Sequence, residues 1–127
     1  RGMGSPHVVL VGSYGGVAAA VVAAARIHPA VNGIVGFSPA VFRGQYINGP
    51  FGPESALQAA PRVRVPILLV TAPYDQNLTN NEVQRLFDAI GAAEKQLLEV
   101  GTAPGWYLLQ YEARVRRTVL RFLREHA

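Results

Sequence analysis

The sequence predicts an α/β domain built on a parallel four-stranded sheet with flanking helices. Short apolar runs rich in β-branched residues alternate with longer helical segments, which is the pattern of strands joined by crossover helices. The run at 66–72, PILLVTA, is apolar almost throughout, as in strands that are buried on both faces of a parallel sheet. With 127 residues, of which 50% are hydrophobic, we expect residues 1–127 to form one domain.

The strands are expected in sequential order along the sheet. Besides 66–72, we predict strands at 7–11, 31–37 and 95–100. The first run, HVVLV, contains no proline, no bulge signal and no acidic, lysine or arginine side chain. Such a strand at the edge of a sheet invites pairing with another chain. We therefore expect a homodimer through this strand, or a second chain that supplies an amino-terminal half.

Helices are expected between the strands. They are predicted at 17–27, rich in small residues, at 53–60, from Thr79 or Asn80 to about 92, and at 111–126. The last two are amphipathic. Their predicted buried faces are Val83, Leu86, Phe87 and Ile90, and Val115, Val119, Phe122 and Leu123. Residues 38–52 are expected to be irregular, and the small-residue helix is expected to leave apolar surface exposed.

Composition excludes several classes of function. The net charge is +4 without any long basic run, so nucleic acid is not expected as a partner. The absence of cysteine removes disulfides, thiol nucleophiles and cysteine-based metal sites, and leaves the redox compartment open. The longest apolar run, 17–25, has about half of the roughly 20 residues that a membrane span needs. We expect no membrane span, no metal and no cofactor, and a cytoplasmic location.

The turn at 12–16 is the strongest local signal for function. It connects a predicted buried strand to a helix, so its backbone N–H groups point beyond the strand end. A nucleotide site is not favoured, because the G-x-G-x-x-G pattern is missing and no acidic residue follows about 20 positions later. A nucleophile elbow, in which small residues flank an exposed side chain on a strand-to-helix turn, fits better.

Four motifs follow the four predicted strands in order: LVGSYGG, GFSPA, TAPYD and EVGTAPGWYLL. On these motifs the chain resembles the α/β-hydrolase family, and more narrowly its small bacterial esterase-like and dienelactone-hydrolase-like members. The resemblance covers 7–125 but only the carboxyl-terminal half of the family's fold. It implies a nucleophile after the first strand of this chain, an acid after the third and a histidine base after the fourth.

The resemblance leaves two nucleophile registers open. If Ser13 is the nucleophile, which is the favoured register, Val11 stands where the family has glycine, and its branched side chain would crowd the turn. If the glycines set the register, Gly12 and Gly16 flank Tyr14. A tyrosine with its ordinary pKa of about 10 is a poor nucleophile for acyl transfer.

The other catalytic positions are incomplete. The resemblance places Asp75 as the acid, but Pro104 occupies the position of the histidine, and proline cannot accept a proton. His7, His28 and His126 are expected to be structural or exposed. The predicted substrate contacts are Tyr14, Gly15, Phe37, Tyr74 and Trp106.

The expected function is therefore that of a catalytically degenerate relative of serine esterases. Such a protein would bind a small ester or acyl ligand, or form half of a two-chain hydrolase. The alternative is an active carboxylic-ester hydrolase that uses Ser13 or Tyr14 with Asp75 and a base from another chain. A purely structural protein, with its crevice filled by its own aromatic side chains, is a third interpretation. The sequence does not identify the substrate.

Overall fold

The computed structural model describes residues 8–13, 15–26, 31–37, 56–71, 80–99 and 113–126. These residues contain a four-stranded sheet in the order β1-β2-β3-β4, with every neighbouring pair parallel. The strands are β1 Val9–Ser13, β2 Gly33–Phe37, β3 Ile67–Thr71 and β4 Lys95–Glu99. The predicted fold class, the sequential strand order and the four strands are confirmed. The prediction that residues 38–52 are irregular concerns residues outside the described ones.

The helices also follow the predicted order. They are α1 Gly15–Arg26, α2 Ala56–Ala59, α3 Asn80–Ala89 and α4 Ala113–His126, and a 3-10 turn, Ala60–Arg62, follows α2. No helix in these described ranges is both long enough and apolar enough to cross a membrane.

The largest difference from the sequence prediction is at the first strand, which continues to Ser13 and leaves a much shorter turn than 12–16.

Helices cover both faces of the sheet. On one face α1, α2 and α3 bury side chains of alternate strand positions, including Ile34, Ile67 and Leu69. On the other face α4 covers the remaining positions; this cluster, the α4-side core, contains Val35, Phe37, Leu68, Val70, Leu98, Val115, Val119 and Phe122. Two covered faces explain why β2 and β3 are buried along their whole length, since a side chain pointing either way enters a core.

Small residues let α1 approach the sheet closely. A methyl group on Gly36 would lie 2.8 Å from Cγ1 of Val17, so only glycine leaves room for that side chain. Val17, Val21 and Val22 of α1 are buried against the sheet and α2. Ala19 is exposed and Ala23 and Ala25 are half-buried, so the apolar surface that this helix exposes within the described residues is alanine.

A lysine joins the end of α3 to the start of β4. Nζ of Lys95 donates hydrogen bonds to the carbonyl oxygens of Phe87 at 2.9 Å, Ile90 at 3.2 Å and Asp88 at 3.4 Å. The same ammonium lies 4.9 Å from the centre of the Phe87 ring. A cation at this end of a helix satisfies carbonyl groups that lack partners within the helix.

Candidate functional site

The candidate site lies at the carboxyl edge of the sheet. Because all four strands are parallel, Ser13, Phe37, Thr71 and Glu99 end them at the same edge, with Ser13 opposite Phe37 and Thr71 opposite Glu99. Open α/β sheets bind ligands beyond this edge.

The junction between β1 and α1 is the tightest feature of this edge. Ser13 ends the strand and Gly15 begins the helix, so one residue, Tyr14, connects them. A methyl group built on Gly12 would lie 2.6 Å from the carbonyl oxygen of Gly16 and 2.9 Å from the backbone nitrogen of Val17. The backbone of the strand is thus in contact with the first turn of the helix, and only glycine is accommodated at position 12.

The structure describes part of the predicted site. Ser13 is described in its backbone, as the last residue of β1, and Gly15 as the first residue of α1. Phe37 is 1% exposed and belongs to the α4-side core. Phe37 therefore packs in the core. Contact between Phe37 and a ligand stays a prediction, and the near-complete burial of its side chain does not support it. The remaining predicted positions, Tyr14, Tyr74, Asp75, Pro104 and Trp106, lie outside the described residues.

Thr71 is a polar group at this edge that the sequence reasoning did not single out. Its side chain is 1% exposed, and its hydroxyl has no hydrogen-bond partner among the described residues. A buried hydroxyl without a partner costs free energy, so such a group calls for an explanation. The signal in the sequence was a lone polar residue at the carboxyl end of an otherwise apolar strand, ILLVT.

The described histidine lies at the opposite edge of the sheet. Nε2 of His126 is 3.2 Å from Oε2 of Glu94, and its ring stacks at a tilt on Phe122 with centres 4.6 Å apart. Glu94 precedes the first residue of β4, and a cavity of about 260 Å³ lies there. His126 is separated from Ser13 by the length of the strands, so it is not a base for that position. The described residues hold no group of three or more His, Cys, Asp or Glu side chains able to bind a metal.

Solved structures identify the fold. The chain is similar to an esterase from Pyrococcus furiosus, with a TM-score of 0.78 and 16% identity over 96% of this chain and 55% of the esterase. A monoacylglycerol lipase from Paleococcus ferrophilus gives 0.75 and 17% identity over 95% of this chain and 69% of the lipase. A dienelactone hydrolase from Anabaena variabilis gives 0.62 and 23% identity over 94% of this chain and 47% of that hydrolase.

These similarities define the class of fold. The chain has the α/β-hydrolase fold over about half of the length of the first of these structures. No family model and no curated protein matches the sequence. The structural likeness therefore establishes the architecture, and the chemistry has to be argued from the residues at the carboxyl edge.

Proposed function

We propose that this α/β-hydrolase-like protein is catalytically degenerate and acts as a binding module for a small ester or acyl ligand, or as half of a two-chain hydrolase. The observation that carries the proposal is the contact between Gly12 and the backbone at Gly16. It supports the register in which these two glycines flank position 14, the position of the nucleophile in an elbow.

The exposure of Val11 supports the same register. If Ser13 were at the apex, position 11 would be the one that needs a small residue. Instead Val11 is 62% exposed, and the crowded position is Gly12. The register therefore assigns Tyr14 to the nucleophile position. A neutral phenol there needs a close base before it can attack an ester carbonyl.

The residue at the position of the catalytic base is a second reason to propose that the chain is catalytically degenerate. Pro104 stands where the resemblance places a histidine, and without a proton acceptor neither a serine nor a tyrosine hydroxyl is activated. Loss of one member of a catalytic triad removes several orders of magnitude in rate. Asp75 stands at the position of the catalytic acid. Under the proposal this chain supplies no histidine for Asp75 to orient.

Binding does not need the triad. The first N–H groups of α1 have no acceptor within the helix and lie at the end of β1, where a carbonyl or carboxylate oxygen of a ligand can accept from them. This arrangement supports a role in holding an acyl group, with or without its hydrolysis.

Hydrolysis of p-nitrophenyl acetate tests the proposal. We expect the isolated wild-type chain to release nitrophenolate hardly faster than buffer, and Ser13→Ala and Tyr14→Phe to leave that rate unchanged. A large burst of nitrophenolate that one of the two substitutions abolishes would instead establish the alternative, an active ester hydrolase with a base from elsewhere, and would name its nucleophile.

A further inference from the structure

We infer that the outer side of α4 is a binding surface for a membrane of anionic phospholipids. The positive charge of this surface comes from the arginine stripe, which consists of Arg114, Arg117, Arg121 and Arg124. The choice of a lipid partner rests in part on the proposed function, since phospholipids are themselves acyl esters. The test measures binding to vesicles and not the binding or hydrolysis of a small ester, so the two proposals can fail separately.

The arginine stripe is a straight row on α4. Its members follow one another at intervals of three, four and three residues, and residues at such intervals are neighbours on the surface of a helix. With a rotation of about 100° per residue, they lie within about 80° of arc and span roughly 15 Å of the helix axis. All four arginines are exposed. The helix therefore presents a continuous row of guanidinium groups to solvent.

The arginine stripe is turned away from the sheet. The buried residues of α4 are Val115, Thr118, Val119 and Phe122. Around the helix axis their mean direction is about 130° from that of the stripe. Because α4 covers one face of the sheet, the stripe lies on the outer surface of that face, where a flat partner can approach it.

The net charge of the chain is concentrated on α4. This helix contains five of the twelve lysine and arginine residues and one of the eight acidic residues, Glu125. The seven basic and seven acidic residues elsewhere cancel, so α4 accounts for the whole net charge of +4. Within the described residues no carboxylate pairs with an arginine of the stripe, and Oε2 of Glu125 lies 3.9 Å from Nε2 of His126 instead. Such a one-sided charge orients the chain toward an anionic partner.

A lipid surface fits the arginine stripe better than other anionic partners do. Clusters of roughly four to eight Lys or Arg on an amphipathic helix are characteristic of binding to acidic phospholipids. Leu120 lies three residues after Arg117 and four before Arg124, and it is 50% exposed. A membrane takes up an apolar side chain at the boundary between headgroups and acyl chains, whereas the backbone of a nucleic acid attracts only the charges. A leucine beside the arginines therefore favours a membrane.

Sedimentation with vesicles tests the inference. Vesicles of phosphatidylcholine alone are compared with vesicles that also contain about 30 mol% phosphatidylglycerol, at low and at high salt. We expect the anionic vesicles to bind the chain at least about tenfold more tightly at low salt, and high salt to remove the difference. Equal binding to both kinds of vesicle at low salt, or to neither, would overturn the inference. Tighter binding to polyglutamate or to a DNA duplex than to anionic vesicles, at equal concentrations of negative charge, would also overturn it.

Single substitutions locate the binding. Arg117→Gln and Arg121→Gln should each weaken binding to the anionic vesicles about fivefold, since each removes one positive charge from the arginine stripe. Arg85→Gln is the matched control, because Arg85 is an exposed arginine of α3, which packs on the opposite face of the sheet. It should change the affinity by less than about twofold. Circular dichroism verifies that each variant is folded. Equal losses for Arg85→Gln and Arg121→Gln would show that the net charge governs binding, and would contradict the assignment to α4.

Discussion

Gly12 at the end of β1 touches the carbonyl group of Gly16 in the first turn of α1, at a distance that leaves no room for a side chain: a methyl group on Gly12 would stand 2.6 Å from that oxygen. The contact brings the end of β1 against the first turn of α1. The proposal that position 14 is the apex of an elbow rests on this contact.

Gly12→Ala should therefore destabilise the chain. The added methyl group meets backbone atoms that cannot rotate away, so we expect a loss of about 1–3 kcal/mol in the free energy of unfolding. Gly16→Ala is the matched control, because nothing lies within 4 Å of its added methyl group. Alanine at this helical position should be neutral or stabilising by up to about 1 kcal/mol. Urea denaturation of both variants measures the difference, and equal stabilities would show that the contact is absent.

Thr71→Val should stabilise the chain. Valine keeps the shape of threonine and removes a buried hydroxyl that has no partner among the described residues, for a gain of about 1 kcal/mol. Thr118→Val is the control, since the Thr118 hydroxyl donates to the carbonyl oxygen of Arg114 at 2.8 Å, and it should bring no gain. If thermal unfolding shows that Thr71→Val lowers stability, the hydroxyl has a hydrogen-bond partner beyond the described residues.

Lys95→Met should weaken the junction between α3 and β4. Methionine keeps much of the apolar stem but removes the ammonium that three carbonyl groups accept from, at a cost of about 1–3 kcal/mol. Gln84→Ala is the comparison, because it removes only an exposed bond to Asp88 on the same helix and should cost less than about 0.5 kcal/mol. Denaturant titrations of the two variants should separate them; a similar cost for both would refute the capping role of Lys95.

Pro104→His should raise ester hydrolysis if the remaining groups of the site are aligned. The substitution supplies an imidazole where the resemblance places the base, and a positioned general base contributes about 10²–10⁴-fold in rate. Nitrophenolate release by Pro104→His, and by Pro104→His combined with Asp75→Asn, measures the gain and its dependence on the acid. A gain that survives Asp75→Asn would show that the new histidine acts without the predicted partner.

Most of the fold could be predicted from the sequence because its apolar periodicity is strong. The apolar run around Leu68 is predicted as a buried strand, and the apolar faces of α3 and α4 are predicted to pack against the sheet. The sequence predicts that β1 ends at Val11, because Gly12 and Ser13 favour a turn locally, whereas pairing with Gly36 and Phe37 extends the strand to Ser13. Pairing across strands is not visible in local propensity.

The candidate site was less predictable than the fold. Phe37 ends a predicted strand next to a loop, a position from which an aromatic side chain can contact a ligand. In the structure it is buried under α4, which lies far from it in the sequence. The large apolar side chains exposed in the described residues belong to β1 and α4, among them Val11 and Leu120, whereas α1 exposes alanine, because the exposure of each side chain depends on where the helices pack. Both outcomes depend on contacts between residues distant in the sequence, which periodicity does not report.

Labelling with a fluorophosphonate is the most direct test of the central claim that this chain lacks a self-sufficient nucleophile. The reagent forms a covalent adduct with an activated hydroxyl and spares an unactivated one. We predict that the mass of the intact, folded chain stays unchanged under conditions that fully label an active serine esterase run in parallel. A stoichiometric adduct on the peptide that contains Ser13 and Tyr14, lost on heat denaturation before labelling, would contradict the account.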